Sequence, residues 1–283
     1  MAVLRLMTAD APDPPAPTFA GASVSDNYAR WLAPVIFTPW AEVLIERVGV
    51  RAGDQVLDVA SGTGVVARLA SAHATETGRV VASDVSATML ARAAAHPVAH
   101  GGAPIEYVQA SVEALPVPDA TFDIVLCQQG LQFFGDRAAA VRELRRVLRP
   151  GGSAGVAVWA DGFRLEPFDD YAEAAVTAGL QPPFPGAFEN ATFVMGADEV
   201  RMLFDGAGFS TVEVATVKLT TVWPDAESAV AGILGTPFGL IVEALPADRR
   251  DRLDADLHHR FGTAAPIRRT TAAVVARARA PGA

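Results

Sequence analysis

The stretch that decides the fold is Val56 to Ala70, VLDVASGTGVVARLA. An apolar run ends near Asp58, two glycines follow at 62 and 64, and apolar residues then return at helical spacing. The segment 62–67 fits G-x-G-x-x-A, the turn that joins a strand to a helix in many nucleotide-binding folds. The stretch therefore predicts a strand, a tight turn and a helix.

The same alternation of apolar strands and amphipathic helices continues along the chain. Predicted helices cover about 64–73, 87–95, 136–148 and 197–209. The predicted strands are QVLDVA, RVVASD, IEYVQA, FDIVLCQQ, SAGVAVW, the segment 211–223 and TTAAVVARA. Such alternation is typical of a sheet covered by helices on both faces. We predict an α/β fold: a doubly wound, mostly parallel, seven-stranded Rossmann-like sheet with N-terminal helices and lid insertions beside the late strands.

The pattern also divides the chain into segments. Pro34 and Pro39 interrupt the helical spacing near the N-terminus, so we expect two or three short helices there. The Phe-, Pro- and Gly-rich stretch after Trp159 and the later helical stretch are candidate lids, because ligands bind at the carboxyl edge of such sheets. The expected division is a flexible tail 1–22, a helical cap 23–53, a ligand-binding core 54–160, a lid 161–196, a core continuation 197–223, a second lid 224–266, and a closing strand and tail 267–283.

Composition excludes several classes of function. The 283 residues carry a net charge of -9, and the 23 basic residues are scattered, so nucleic acid is not an expected partner. The single cysteine, Cys127, excludes an internal disulfide and a Cys-rich zinc site, and a reducing, cytoplasmic setting fits it best. We expect no metal. The N-terminus is too interrupted by Pro and Asp for a signal peptide or a membrane span.

The position of Asp58 favours a cationic ligand over a dinucleotide. A pyrophosphate at the glycine turn would be repelled by this carboxylate, whereas a cation would be attracted. Asp84 lies 20 residues after Gly64, at the end of the second strand, where a carboxylate can accept both hydroxyls of a ribose. S-adenosylmethionine has a ribose, a sulfonium and an ammonium, and it has no phosphate. Asp84→Ala is expected to cause a large loss of binding with little loss of fold.

Four stretches in consecutive order carry a family resemblance. They are LDVASGTG, VVASDVSATML, VQASVEALPVPDATFDIVLCQQGLQFF and AVRELRRVLRPGG, within about 55–159. Together they resemble the class I S-adenosylmethionine-dependent methyltransferases, and within them the group similar to ubiquinone and menaquinone biosynthesis methyltransferases, also called methyltransferase type 11. The resemblance implies S-adenosyl-L-methionine as cofactor and S-adenosyl-L-homocysteine as product. We interpret the chain as a cytoplasmic enzyme of secondary metabolism.

The resemblance also assigns roles to residues of the first three motifs. Asp58 matches the acidic residue of the first motif, and its glycine positions fall on Ala60, Gly62 and Gly64. Alanine at position 60 departs from the commoner glycine and is tolerated if its backbone φ is negative. Asp84 matches the acid that binds the ribose. The residues Val85 and Met89 match positions that flank the adenine, although core packing explains Met89 equally well.

Three further positions would complete the cofactor site. Ser111 stands where relatives commonly carry an acid that accepts the adenine amino group, so this contact is expected to be weaker. The Val112 backbone N–H can reach the adenine, and Gln128 falls where relatives contact the methionine part. Tyr28 lies in the helix with which relatives cover the cofactor, so its phenol can bind the methionine carboxylate. Anchoring of that helix to the core is an equal alternative for Tyr28.

The methyl acceptor is the least determined part of the prediction. Candidate substrate contacts are Gln129, Gln132, Phe133 and Trp159, and no catalytic base can be named. Aromatic residues in the lids, including Phe184 and Phe188, suit an apolar or aromatic substrate, and they equally suit packing between lid and core. Two alternatives stay open: a cyclase or rearrangement enzyme that binds S-adenosylmethionine without transferring its methyl, and an NAD-dependent oxidoreductase.

Overall fold

The structure is a computed structural model, and it describes residues 26–180, 193–236 and 238–282. Its strands form one seven-stranded sheet in the order β3-β2-β1-β4-β5-β7-β6. The strands are β1 Gln55–Val59, β2 Arg79–Asp84, β3 Ile105–Gln109, β4 Phe122–Gln128, β5 Leu148–Trp159, β6 Thr211–Trp223 and β7 Ile267–Arg279. The helices are α1 Tyr28–Phe37, α2 Thr38–Val48, α3 Val65–Ala74, α4 Ala87–Ala94, α5 Arg137–Val147, α6 Phe168–Thr177, α7 Ala197–Gly206, α8 Ala226–Ile233, α9 Phe238–Glu243 and α10 Ala247–Phe261.

The predicted fold class is confirmed by this topology. Strands β1 to β5 pair in parallel, and β7 is antiparallel to both β5 and β6. The strand order reverses between β1 and β4, where Asp58 is in register with Ala82 on one side and Leu126 on the other. In an open sheet of this kind the crevice outside such a switch point is the ligand site.

Alternate residues of the strands supply two cores, one on each face of the sheet. Val56 belongs to the core that also contains Trp40 and Leu44 of α2, whereas Leu57 belongs to the core with Leu144 of α5. A strand whose successive side chains are all buried is possible only with helices on both faces. This double burial explains why β1 is apolar without alternation.

The helical cap consists of two short helices, α1 and α2, as predicted, and they follow each other without a break. Pro34 cannot donate a backbone hydrogen bond, and α1 around it is wound as a π-helix, in which the Thr38 N–H bonds the Ala33 carbonyl. Pro39 falls at the first turn of α2, where a missing N–H costs little. The segment therefore passes both prolines without a break and ends at Gly49.

Other boundaries differ in detail. The first lid contains α6, which the sequence reading missed although Asp169 and Asp170 favour a helix start there. Helix α7 ends at Gly206, three residues before the predicted end. Within the described ranges, no helix has both the length and the apolar character needed to cross a membrane. The predicted tail 1–22 and the aromatic residues Phe184 and Phe188 lie outside the described residues.

Candidate functional site

The glycine turn lies at the carboxyl end of β1 and requires glycine at two positions. Gly62 and Gly64 have φ of 53° and 77°, in the left-handed region. A Cβ on Gly64 would stand 3.0 Å from the Cβ of Ala93, so the helix α4 approaches the turn closely. The turn is thus built for close backbone approach.

Ala60 has a positive φ of 54°, so the expectation that a negative φ makes alanine acceptable there is wrong. A left-handed conformation costs an L-residue about 1–2 kcal/mol. The turn holds Ala60 there because the next residue is fixed: the Ser61 N–H bonds the Ser83 carbonyl over 3.0 Å. Glycine adopts this conformation without that cost.

Asp84 ends β2 with both carboxylate oxygens already oriented by the backbone. Its Oδ2 accepts from the Gly62 N–H and its Oδ1 from the Ser86 N–H, each over 2.8 Å. Each oxygen keeps a free lone pair, so the group can accept from two hydroxyls. Next to it, Val85 is 68% exposed and Met89 is buried. Asp84 therefore has the geometry for a ribose, and Val85 presents an open apolar surface for a base.

Asp58 is a buried carboxylate that forms no direct ion pair with the residues that the structure describes. Its side chain is 1% exposed, and within the described residues its Oδ2 has no hydrogen-bond partner. Burial raises the pKa of the Asp58 carboxyl well above its usual value, a hydrogen bond from Ala67 N–H lowers it, Asp84 raises it and Arg68 lowers it. An arriving cation would pair this oxygen and restore the charged form.

Tyr28 and Arg68 meet at the same side of the turn. Tyr28 is buried, stacks on Phe37 with ring centroids 5.1 Å apart, and bonds the Thr63 side chain. Burial, then Asp84 and Asp58, raise the pKa of its phenol. Arg68 of α3 donates to the Thr63 carbonyl over 2.7 Å, and desolvation lowers the pKa of its guanidinium. The Tyr28 phenol and the Arg68 guanidinium, both beside the turn, can bind the carboxylate of a ligand.

Arg68 was not among the site residues predicted from the sequence, although its position beside the turn could have been predicted. It lies four residues after Gly64 in the first turn of α3, and its N–H bonds the Gly64 carbonyl. Residues at this spacing share one face of a helix and point back to its start. A basic residue there lies beside the glycine turn.

The third motif forms a short turn after β3. Ser111 is exposed and its hydroxyl donates to Glu113, an acid that the sequence reading did not weigh. Val112 is buried and begins the 3-10 turn Val112–Ala114. Gln109 Nε2 bonds the Val85 carbonyl over 3.0 Å, which ties this turn to the end of β2. The hydroxyl oxygen of Ser111 can still accept a hydrogen bond.

Three glutamines gather at the carboxyl end of β4. Gln128 Nε2 donates to the Phe37 carbonyl over 2.9 Å, so it ties the cap to the sheet. Gln129 has a positive φ of 53°, its N–H bonds the Ala157 carbonyl, and its Oε1 accepts from Gln132 Nε2 over 3.3 Å. Strained backbone of this kind is common where a side chain is held for function.

The predicted aromatic substrate contacts occupy two different environments. Phe133 is 39% exposed and pairs with Phe193, ring centroids 5.5 Å apart. Trp159 is buried and packs on Phe37, Trp40 and Phe168 over 6.4, 6.2 and 5.9 Å. Phe133 thus offers a free apolar face, whereas Trp159 links cap, core and first lid. The predicted substrate contact of Trp159 stays a prediction.

Two further features lie apart from this site. A groove of about 730 Å³ runs between Asp161–Arg164 and α6, and no motif residue lines it. Burial raises the pKa of the Cys127 thiol to about 12, so this cysteine is an inert apolar residue. Among the residues that the structure describes, no group of three or more His, Cys, Asp or Glu is arranged to hold a metal ion.

Buried polar atoms without a partner are concentrated at this edge of the sheet. In the part of the chain that the structure describes, six of them belong to the ends of β1, β2 and β4 or the turns that follow. They are Asp58 Oδ2, Ser61 Oγ, Ser83 Oγ, Gln128 Oε1, Gln129 Nε2 and Gln132 Oε1. Buried polar atoms are normally paired in native proteins, so such a cluster indicates a ligand site. Its donor and acceptor set fits S-adenosylmethionine.

The fold and the arrangement of Asp58, the glycine turn and Asp84 resemble those of class I S-adenosylmethionine-dependent methyltransferases. The model of the ubiE/COQ5 methyltransferase family matches residues 22–160, which confirms the resemblance seen in the motifs. The ubiquinone/menaquinone biosynthesis C-methyltransferase UbiE of Hahella chejuensis is 46% identical over 114 residues. That alignment covers 40% of this chain and 46% of the relative, so the chain spans less than half of the relative's length.

Solved structures share the fold over a longer part of the chain. The YcgJ protein of Bacillus subtilis is similar with a TM-score of 0.55 and 20% identity, over 86% of this chain and 98% of that one. Phosphoethanolamine N-methyltransferase 2 of Haemonchus contortus, solved with S-adenosyl-L-methionine, has a TM-score of 0.53 and 18% identity. It covers 86% of this chain and 52% of that chain. The similarity of fold therefore extends beyond the 22–160 match.

Proposed function

We propose that this chain binds S-adenosyl-L-methionine and transfers its methyl group to a small, apolar or aromatic metabolite. The observation that carries the proposal is Asp58, a carboxylate that is 1% exposed and whose Oδ2 lacks a partner. A pyrophosphate would add charge repulsion at this position, whereas the ammonium of the cofactor would supply the missing partner.

Each part of the cofactor has a counterpart in the site. Asp84 holds the ribose hydroxyls, and Val85 and Met89 flank the adenine with the Val112 N–H and Ser111 at its edge. The ammonium pairs with Asp58. The carboxylate lies between the Tyr28 phenol and the Arg68 guanidinium, an arrangement that adds Arg68 to the residues predicted from sequence. Gln128 fixes the cap over the methionine part, because its amide donates to the Phe37 carbonyl.

The protein's contribution to the reaction is mainly positional. The bound cofactor supplies a methyl group on a positively charged sulfur, which leaves as a neutral thioether when the acceptor attacks. The chain's residues hold the acceptor in line with that methyl and exclude water, which is a large part of the acceleration in such reactions. Gln129 and Gln132 are neutral amides, so they orient an acceptor and do not remove its proton. The proton that the methylated carbon loses passes to solvent after the transfer.

The nature of the acceptor follows from the apolar surface beside the glutamines. Phe133 and Phe193 form an open aromatic pair there, and flat apolar molecules stack on such faces. The relative's name specifies methylation of carbon in quinone biosynthesis. For this chain we propose only that the methylated atom is carbon, and not that the substrate is a quinone. We place the enzyme in the cytoplasm, in secondary metabolism, with no nucleic-acid partner.

Transfer of label tests the proposal directly. The protein is incubated with S-adenosylmethionine carrying a labelled methyl and with a panel of aromatic and polar metabolites. We expect label in an aromatic product together with one equivalent of S-adenosylhomocysteine. Product formation without label and without S-adenosylhomocysteine would instead support the cyclase alternative. No turnover with any substrate class would refute methyl transfer.

A further inference from the structure

The amide side chains of Gln129 and Gln132 form a buried, linked pair. Gln132 Nε2 donates to Gln129 Oε1, and the two residues are only 3% and 8% exposed, respectively. The outer atoms of the pair, Gln129 Nε2 and Gln132 Oε1, are buried and have no partner among the described residues. If nitrogen and oxygen are exchanged in both amides, Gln129 supplies the unpaired acceptor and Gln132 the unpaired donor. The pair then still offers one donor and one acceptor.

The pair stands directly against the glycine turn. Gly130 lies between the two glutamines and touches this turn. A Cβ on Gly130 would lie 2.8 Å from the Cβ of Ala60. Arg137 donates to the Gln132 carbonyl over 2.9 Å and so holds the turn from behind. The two amides are therefore fixed at the boundary between the proposed cofactor site and the exposed ring of Phe133.

The unpaired atoms are unfavourable for the folded protein unless a ligand pairs them. A buried amide atom without a hydrogen bond loses its water without compensation. Leucine has a similar size and would fill both positions without that loss. A ligand that supplies the missing acceptor and the missing donor removes the penalty at the moment of binding.

We propose that the Gln129–Gln132 pair selects methyl acceptors with a neutral group that both donates and accepts hydrogen bonds, a hydroxyl or a primary amide. The inference rests on the proposed function and specifies the acceptor of that site. A carboxylate has no hydrogen for Gln132 Oε1, and an ammonium has no lone pair for Gln129 Nε2. Either charged group leaves one atom of the pair unsatisfied, so the pair rejects it.

Binding of small probes to the protein saturated with S-adenosylhomocysteine tests this selection. The probes are phenol, benzamide, benzoate, benzylammonium and toluene, titrated at pH 7.5 by ligand-observed NMR. Phenol and benzamide are expected to bind at least tenfold more tightly than benzoate and benzylammonium. In Gln132→Leu the affinity for phenol and benzamide falls about tenfold, while the affinity for toluene and S-adenosylhomocysteine stays unchanged.

A second variant and a control make the result independent of folding defects. Gln132→Glu introduces a carboxylate and is expected to bind benzylammonium in preference to phenol. Gln55→Leu, at the opposite end of β1, is expected to behave as wild type. Gln132→Leu is expected to unfold near the wild-type temperature, because it removes the unpaired Oε1 of Gln132 but leaves Gln129 Oε1 without its donor.

Three results would overturn the inference. They are phenol binding that is unchanged in Gln132→Leu, binding of benzoate as tight as that of phenol, and no binding of any probe to the loaded wild-type protein. Failure of S-adenosylhomocysteine itself to bind would be seen before any probe is added, and it would overturn the proposed function as well.

Discussion

Replacing the buried acid by its amide, Asp58→Asn, should raise stability and lower cofactor affinity at the same time. Asparagine keeps the size of the side chain and an oxygen for the Ala67 N–H, but it removes the charge. The amide nitrogen that replaces Oδ2 is also unpaired, so the variant removes only the additional cost of burying a charge, and we expect the free energy of unfolding to rise by about 1 kcal/mol at pH 8. For a chain of this size that is a shift of about 2–4 °C in Tm per kcal/mol.

The stability gained by Asp58→Asn should decrease as pH falls. Burial raises the pKa of the Asp58 carboxyl in the folded protein above its unfolded value, so the native state holds a proton that the unfolded state has lost. Wild-type stability therefore falls as pH rises from the unfolded pKa to the folded pKa. The advantage of Asp58→Asn should shrink as pH falls from 8 toward 5, by at most about 1.4 kcal/mol per pH unit.

Affinity should change in the opposite direction. Losing a charge-assisted contact to the ammonium costs about 1.5–3 kcal/mol, a loss of about 10- to 100-fold in the affinity for S-adenosylhomocysteine. Differential scanning fluorimetry at pH 5 and pH 8 and calorimetric titration measure the two effects, with Asp205→Asn as an exposed control. Lower stability of the variant at both pH values would show that the buried charge does not destabilise the fold. Binding of S-adenosylhomocysteine as tight as in wild type would show that Asp58 does not pair with the ammonium.

Three other substitutions probe the turn, the ribose contact and the core. Ala60→Gly should stabilise the protein by about 0.5–1 kcal/mol in urea unfolding, because it relieves a φ of 54° at some cost in chain entropy; destabilisation would contradict the strain. Asp84→Ala should abolish S-adenosylhomocysteine binding in calorimetry and also cost about 1–3 kcal/mol, since two backbone N–H groups lose their acceptor; an unchanged Kd would reject the ribose role. Thr271→Val should cost about 1–3 kcal/mol by leaving the Trp40 Nε1 unpaired, and adding Trp40→Phe should restore part of it; if the double variant is simply additive, the bond is not the cause.

The sequence predicted the parts of the fold that depend on burial on both faces of a strand. Apolar runs such as 55–59 must lie inside a covered sheet, and their ends locate Asp58 and Asp84 without further information. The π-helical passage around Pro34 was not predictable, because proline usually breaks a helix and only the packing of α1 on the core compensates for it.

The site was predictable where one residue type has a fixed place at a strand end. Arg68 and Glu113 were missed because their importance depends on which side chains meet across a turn, and spacing along the chain does not give that. The left-handed conformations of Ala60 and Gln129 are likewise products of tertiary constraints, since neither residue type favours them. Such conflicts between local preference and structure are expected at functional sites.

We propose that the glycine turn with Asp58 binds a nucleoside with a cationic tail rather than a dinucleotide. Calorimetric titration of the purified protein at pH 7.5 with S-adenosylhomocysteine and, separately, with NAD tests it most directly. We expect one site for S-adenosylhomocysteine and no measurable heat from NAD at the same concentration. Binding of NAD without binding of S-adenosylhomocysteine would contradict it.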